Sequence, residues 1–363
     1  VLKVADWWCP NPSRWLDMTI KFHTWDKVGF ALCSQCWATH ECVLGEYTLS
    51  EMADPGFYDR FMEVWNSDRT RAIRAQWHER GALPRMCRSC PRLLAESDPP
   101  MRRADVSDDW LSTLMNNGST HTDPRVLSLG YDPSCNLACP SCRPAAFRLR
   151  PGDERYDHLK VFQRNFVFRL AADATDIHCT GYGDPFGSNL YWELLTTITP
   201  DFAPRLKWYF LTNGLGFTPE AYEAIPTRAQ IAGVNVSVDA ATEDTYRALR
   251  GGSWSRLQDN LRFLSTLRLD KFELGFVVQS ANWRELPAFM DSAERLGATR
   301  VLLYTLLNHA WGPEQYALRA IHSPNHPDHG DAMETIRAAM ESTKVPCYWE
   351  AENKERAGVK DAP

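Results

Sequence analysis

With 363 residues, 44% of them apolar and 14 of them tryptophan, the chain is long enough for two units and rich enough for a sizeable core. Its net charge of −6 is mild and spread along the sequence, without the basic stretch that nucleic acid or an anionic membrane surface would select. No apolar run approaches a bilayer span, no signal peptide is visible, and the chain opens with Val1 rather than Met, as a processed or trimmed start would.

In chain order, residues 1–94 form a first, cysteine-rich unit that holds Cys9, Cys33, Cys36, Cys42, Cys87 and Cys90, with an alternating strand expected over Leu16–Phe22. A polar connector spans 95–124, punctuated by Asp98-Pro99-Pro100 and Asn116-Asn117-Gly118-Ser119, with a short helix suited to Asp108–Met115. A second unit, 125–310, alternates strand and helix. Strands are expected at Val126–Tyr131, Asp176–Thr180, Lys207–Leu211, Ile231–Val238, Phe272–Val278 and Val301–Leu307. Helices are expected at Tyr156–Ala172, after the Thr218 cap with Pro219 at its first position, and over Thr242–Arg250, Leu257–Leu267 and Trp283–Leu296. Six βα units in series predict an α/β fold with a parallel sheet whose strand C-termini carry the chemistry. A C-terminal extension, 311–363, holds a histidine- and proline-rich loop over Ile321–His329, a helix to about Met340, and a charged tail from Glu350.

Eleven cysteines in short, clustered spacings, on a chain of this size, read as metal ligands in a reducing cytoplasm rather than as a disulfide framework. The run Cys135-Asn-Leu-Ala-Cys139-Pro-Ser-Cys142 sets the chemistry. Three thiolates can hold three irons of a four-iron four-sulfur (4Fe-4S) cluster and leave the fourth iron open to a small molecule. A zinc site completed by His178 or Cys179 is the bland alternative.

Downstream, Gly181-Tyr182-Gly183-Asp184-Pro185, Leu211-Thr212-Asn213-Gly214, Val236-Ser237-Val238-Asp239-Ala240 and Thr245-Tyr-Arg-Ala-Leu-Arg250-Gly-Gly252 follow in order. Together with the cysteine run, this series resembles the radical S-adenosylmethionine (SAM) enzymes. The resemblance implies an open, partial (β/α)6 TIM-like barrel. It assigns Cys135, Cys139 and Cys142 to the SAM-binding 4Fe-4S cluster. It places Gly181, Gly183 and Asp184 at the methionine amine, where the family's Gly-Gly-Glu-Pro reads Gly-Tyr-Gly-Asp-Pro with an acid one methylene shorter. Ser237 and Arg250 match positions that hold the SAM carboxylate, a task that suits a guanidinium fork. Asp239 and Gln279 end strands and could face ribose or substrate. Read without the resemblance, Ser237 is a strand residue, Arg250 a helix C-terminal cation and the glycine run a strand-exit turn. Cys179 and Cys347 are candidate donors to a substrate radical, Cys179 reading equally as core and Cys347 as adventitious.

The first unit resembles a SPASM or twitch auxiliary-cluster domain, placed before the radical core instead of after it. Cys9-Pro10, the segment from Lys27 to Cys33, Leu44-Gly45, Glu63-Val-Trp-Asn-Ser67 and Cys87-Arg-Ser-Cys90-Pro91 carry the likeness. It implies one auxiliary 4Fe-4S cluster on Cys9, Cys33, Cys87 and Cys90, with Cys36 and Cys42 surplus and structural zinc as the alternative. The implied activity is reductive cleavage of SAM to a 5′-deoxyadenosyl radical and hydrogen abstraction from a substrate. That substrate is expected to be a ribosomally made peptide that is crosslinked, epimerised or oxidised. A sugar- or aminoglycoside-type metabolite, and a non-catalytic iron–sulfur or zinc scaffold, are the alternatives. A flavodoxin or ferredoxin would supply the electron. Neither nucleic acid nor membrane is an expected partner.

Overall fold

The computed structural model describes residues 15–20, 25–33, 43–76, 124–179, 183–309 and 311–349. Among these residues ten strands form one sheet: β1 (Trp15–Ile20), β2 (Lys27–Ala31), β3 (Val43–Thr48), β4 (Val126–Gly130), β5 (Asp176–Cys179), β6 (Lys207–Thr212), β7 (Ile231–Ser237), β8 (Lys271–Val278), β9 (Arg300–Thr305) and β10 (Cys347–Trp349). Their spatial order is β10-β9-β8-β7-β6-β5-β4-β1-β2-β3. From β4 to β9 each strand pairs in parallel with the next, and helices fill the crossovers. This is the parallel βα core that the alternating pattern implied, in the open six-strand form the resemblance implied, and its β7 and β8 exits bring Ser237, Asp239 and Gln279 to one end of the sheet.

Alternation within the strands sorts the two faces. In β8 Phe272, Leu274, Phe276 and Val278 are buried, and Phe276 packs on Phe289 of the helix Leu286–Leu296 at a ring separation of 4.8 Å. The other face presents half-buried polar side chains, among them His178, Tyr209, Asn235, Glu273 and Tyr304. The helix starts follow the expected capping chemistry. Thr218 accepts from the amide of Ala221 with Pro219 at the first position, and Thr242 accepts from Thr245. The helix expected over Tyr156–Ala172 runs Glu154–Phe162, a π-helical turn Gln163–Val167, then Phe168–Ala171.

Residues 15–76 were expected inside a separate unit. Instead β1 pairs in parallel with β4, Leu16 opposite Leu127, and β2 and β3 extend the sheet as an antiparallel meander. The physical reason is aromatic. Phe30 of β2 and Phe57 and Phe61 of the helix Phe57–Trp65 pack with Phe162 and Phe166, for example Phe30 on Phe61 at 5.0 Å and Phe61 on Phe166 at 5.1 Å. Those rings bury against the βα core, so the N-terminal strands and the core share one hydrophobic cluster. The expected connector falls almost wholly outside the described residues, as do the tail from Glu350 and Cys9, Cys36, Cys42, Cys87 and Cys90. At the other edge β10 adds a parallel strand beyond β9, where the sequence pattern placed only a polar extension. The His322–His329 segment folds onto itself, with His326 and His329 ring nitrogens at the carbonyls of Leu318 (3.2 Å) and Ile321 (2.9 Å). Among the described residues no helix is long and apolar enough to cross a membrane.

Candidate active site

Every residue of β4 is buried, and the chain leaves it into a tightly fixed turn. Asp132, 1% exposed, accepts at Oδ1 from the Ser134 amide (2.9 Å) and hydroxyl (2.7 Å), and at Oδ2 from the Ser188 hydroxyl. Burial raises its pKa, and the serine donors oppose that rise. The cysteine loop that follows is closed at both ends. Cys135 N–H donates to the Phe147 carbonyl (2.7 Å) and Phe147 N–H to the Cys135 carbonyl (3.1 Å). The amides of Cys142 and Arg143 donate to the Cys139 carbonyl (2.8 and 3.0 Å), and Arg143 Nη1 donates to the Pro133 carbonyl (2.6 Å).

All three thiols are free, Cys139 buried and Cys135 and Cys142 half-buried. Burial pushes Cys135 up to about 11, with Asp184 adding to the rise. Burial also raises Cys139, against the pull of Arg250. Cys135 feels the charge of Cys139, and Cys139 that of Cys142, so the three sulfurs share one neighbourhood. Yet among the described residues no three Cys, His, Asp or Glu side chains converge tightly enough to hold a single metal ion. Zinc completed by His178 or Cys179 is not built here: Cys179 is fully buried in β5, and His178 stacks on Tyr209 at 4.6 Å.

Asp184 is 1% exposed and its carboxylate is fully engaged. Oδ1 accepts from the amides of Phe186 (3.0 Å) and Gly187 (3.1 Å), and Oδ2 from the Thr212 hydroxyl (2.8 Å) and the Asn213 amide (2.7 Å). Four donors leave it no lone pair aimed at a ligand amine; it staples the 183–187 turn to the exit of β6. Its own amide donates to the Ser134 carbonyl (2.8 Å), which ties the same turn to the cysteine loop. Gly183 is required by that approach, because a Cβ there would lie 2.5 Å from the Asp132 carbonyl oxygen and 2.7 Å from that of Ser134. Gly181 lies outside the described residues.

Asn213, part of a motif to which the sequence assigned no role, reaches the site directly. Its Nδ2 lies 2.8 Å from Asn136 Oδ1 and 3.8 Å from Cys135 Sγ. The signal available in sequence was the Asn-Gly pair at a strand exit, which marks a turn but does not reveal where the amide points.

Asp239 follows β7 with φ of 61°, a left-handed conformation that is uncommon outside glycine. Oδ1 accepts from the Val277 amide (2.7 Å), Oδ2 from Arg250 Nη1 (2.9 Å), and its carbonyl from Asn282 Nδ2 (2.9 Å). The ion pair is nearly dry, with Arg250 13% and Asp239 5% exposed at the side chain. Arg250 Nε is buried with no hydrogen-bond partner, an unused donor beside the cysteine loop. Burial alone would lower the Arg250 pKa; the Cys139 and Asp239 charges outweigh it and raise it. Cys139 Sγ lies 3.8 Å from the Arg250 carbonyl, which brings the helix Glu243–Arg250 onto the cysteine loop. Ser237 is half-buried at the end of β7, and Gln279 is buried beyond β8. Gln279 lines a cavity of about 480 Å³ with Pro140, Ser141 and Trp311.

The structure therefore brings together Cys135, Cys139, Cys142, Asp184, Asp239 and Arg250, and sets Gln279 beside the cysteine loop. It separates Cys347, which lies on β10 at the far edge with its sulfur 3.7 Å from Met290 Sδ. Cys179 is core, its pKa raised by burial. Cys33, the one described member of the expected auxiliary set, is buried just after β2.

Solved structures of radical SAM enzymes are similar to this chain. Streptococcus suis SuiB bound to S-adenosylmethionine is 14% identical, over 92% of this chain and 72% of that one, with a TM-score of 0.45. TYW1 with a lysine-pyruvate adduct is 14% identical over 58% and 70%, with a TM-score of 0.38. Native anSMEcpe with bound AdoMet is 14% identical over 61% and 63%, with a TM-score of 0.42. At this distance no residue role transfers from them. No protein-family model and no curated protein matches the sequence.

Proposed function

We propose that the chain is a radical SAM enzyme that modifies a ribosomally synthesised peptide. The observation that carries the first part is the closed cysteine loop of Cys135, Cys139 and Cys142, whose sulfurs share one neighbourhood and which abuts a buried arginine with an unused donor. When bound, a 4Fe-4S cluster with SAM on its open iron supplies one-electron cleavage of the sulfonium to a 5′-deoxyadenosyl radical.

This chain's residues would do the rest. Arg250, held by Asp239, would offer Nε to the SAM carboxylate. Asn213 steadies the Cys135 side of the loop. Asp184 fixes the turn whose backbone, with Gly183, would present carbonyls to the methionine amine. Ser237 and Gln279 would contact nucleoside or substrate. The bodies of Pro140 and Trp311 would keep water from that end of the site. Cys33 with Cys9, Cys87 and Cys90 would hold one auxiliary cluster, and the likeness of that unit to SPASM domains supports the peptide.

The test is anaerobic reconstitution with iron and sulfide, SAM and dithionite. We expect 5′-deoxyadenosine from the wild type and none from Cys139→Ala. Iron should stand near four per chain in Cys139→Ala and near eight in the wild type, and Cys33→Ala should lose the other four while keeping product. A colourless Cys139→Ala would sink the second cluster. Deuterium carried into 5′-deoxyadenosine from a labelled metabolite pool, and not from a labelled peptide pool, would sink the peptide.

A further inference from the structure

The helix Glu243–Arg250 carries a second buried donor that this chemistry leaves unused. Tyr246 is fully buried, and its hydroxyl has no hydrogen-bond partner among the described residues. A buried hydroxyl left without a partner is rare enough in a folded chain to need a reason. Arg250, whose Nε is also unpartnered, stands four residues on, so the two donors lie on one face of the helix. The phenol ring is held in place. It packs on Trp254 at 5.3 Å, and the turn Arg250-Gly251-Gly252 closes over its tip, where a Cβ at Gly252 would lie 2.9 Å from the phenol oxygen. The same turn meets the cysteine loop, with the Arg250 carbonyl 3.8 Å from Cys139 Sγ. Burial pushes the Tyr246 pKa up to about 12; the Arg250 charge opposes that rise, and those of Cys139, Asp239 and Asp184 add to it. The hydroxyl therefore keeps its proton and stays a donor.

We propose that Tyr246 donates a hydrogen bond to the Cys139 sulfur once that residue ligates iron, and that this bond raises the reduction potential of the cluster. This rests on the radical SAM reading of the cysteine loop. As a free thiol, Cys139 carries an S–H and has the Arg250 carbonyl as its acceptor. As an iron ligand it has given up that proton, can only accept, and faces a carbonyl oxygen of like polarity. A donor is then needed at this turn. Arg250 Nη1 is held by Asp239, and Nε is the group offered to the SAM carboxylate. Tyr246 is the donor that remains. With no exposed surface it is closed off from an entering ligand, so its acceptor is a group of the protein itself. A hydrogen bond to a ligating sulfur draws charge from it and favours the reduced, more negative cluster. The thiol proton leaves on metal binding and the phenol keeps its own, so Tyr246 itself is neither oxidised nor deprotonated. It is a positioning residue, acting through Cys139.

The test compares full-length wild type with Tyr246→Phe, which deletes the hydroxyl alone, both as apo protein and after anaerobic reconstitution with iron and sulfide. In the apo form the phenylalanine removes an unpaired buried hydroxyl, so the variant should melt at or above the wild-type temperature. In the reconstituted form the order should reverse. Potentiometry followed by electron paramagnetic resonance, read on the signal that added SAM perturbs, should show reduction of the variant about tenfold less favourable, a downward shift of about 59 mV for one electron. A phenol that serves packing alone would leave the potential where it is. An apo variant that melts well below wild type, or a reduction equilibrium within about twofold of wild type, overturns the proposal. If the potential holds while SAM affinity falls about tenfold, the hydroxyl serves the SAM carboxylate and the proposal fails. Wild-type protein with no SAM-sensitive signal would sink the radical SAM reading and this inference with it. A SAM-sensitive signal with an unshifted potential sinks the Tyr246 assignment alone.

Discussion

Replacing Asp184 tests whether the acid of the glycine motif is a staple or a ligand contact. In Asp184→Ala the amides of Phe186, Gly187 and Asn213 and the hydroxyl of Thr212 lose their acceptor inside a site that is 1% exposed. An unsatisfied buried donor costs about 1–3 kcal/mol. Water entering the vacated space holds each to the low end, so four donors give ~4 kcal/mol, within the ~3–5 kcal/mol range for removing one side of a buried charged network. At about 2 °C per kcal/mol for a chain of this size, the melting temperature should fall by ~8 °C. Asp184→Asn keeps one acceptor and turns an NH2 toward two donors, so about half the loss is expected. Burial raises the Asp184 pKa, so ionising it costs stability as the pH climbs through that range, and the four donors offset the cost. The assay is thermal melting of apo protein followed by SAM titration of the reconstituted form. Both variants melting within ~2 °C of wild type would refute the staple. Wild-type melting with SAM binding lost would show that the carboxylate touches ligand.

Asp239→Ala should leave Arg250 buried with its charge unpaired and lower stability by ~3 kcal/mol, with weakened SAM binding. Asp239→Gly relieves the positive φ but not the lost pair, so melting that matches wild type in the glycine variant would show that backbone strain, not the ion pair, sets the cost. Glu285 accepts from the Ala241 amide (2.6 Å) and the hydroxyls of Thr242 (2.7 Å) and Thr245 (2.5 Å), tying the segment before the helix Leu286–Leu296 to the start of the helix Glu243–Arg250. Burial alone would raise its pKa, but these bonds outweigh it and the pKa is lowered from 4.5. Its contribution, about 1 kcal/mol after screening, is therefore present above pH ~4.5 and lost as the pH falls through the lower, folded value. Melting curves of wild type and Glu285→Gln should converge on acidification in that window, and a gap constant with pH would refute the assignment.

Much of the core was legible because its signals are local. Thr218-Pro219 and Thr242 announce helix starts, and β-branched runs bounded by turns announce strands 126–130 through 300–305. The first N-terminal strand was expected near its place, but the membership of β1 to β3 in the core sheet was not, because it depends on Phe30, Phe57 and Phe61 meeting Phe162 and Phe166 more than ninety residues later. β10 was missed for a related reason: three residues carry too little period to register. At the site, residue type singled out Arg250 and Asp239, which the structure sets beside the cysteine loop, but could not assign their partnership. It misjudged what the Asp184 carboxylate touches, since a buried carboxylate is as well suited to backbone donors as to an ammonium.

The shortened acid at 184 and the glycine before it are one device. A side chain one methylene shorter than the glutamate of the resembling family spans from the 183–187 turn to Thr212 and Asn213 only if that turn sits close. The turn sits close because Gly183 lets the backbone come within 2.5 Å, from a would-be Cβ, of the Asp132 carbonyl. Gly183→Ala should push the turn away from a backbone that cannot yield, at a cost of ~3 kcal/mol, and pull Asp184 off its donors. Asp184→Glu alone should overpack the closed turn by ~1–2 kcal/mol. Combined, the displaced turn and the longer acid suit each other, so the double variant should be more stable than the sum of the two by at least ~1 kcal/mol. Strict additivity in a melting cycle would mean that the two residues act separately, and that the close approach serves the cysteine loop rather than the reach of the acid.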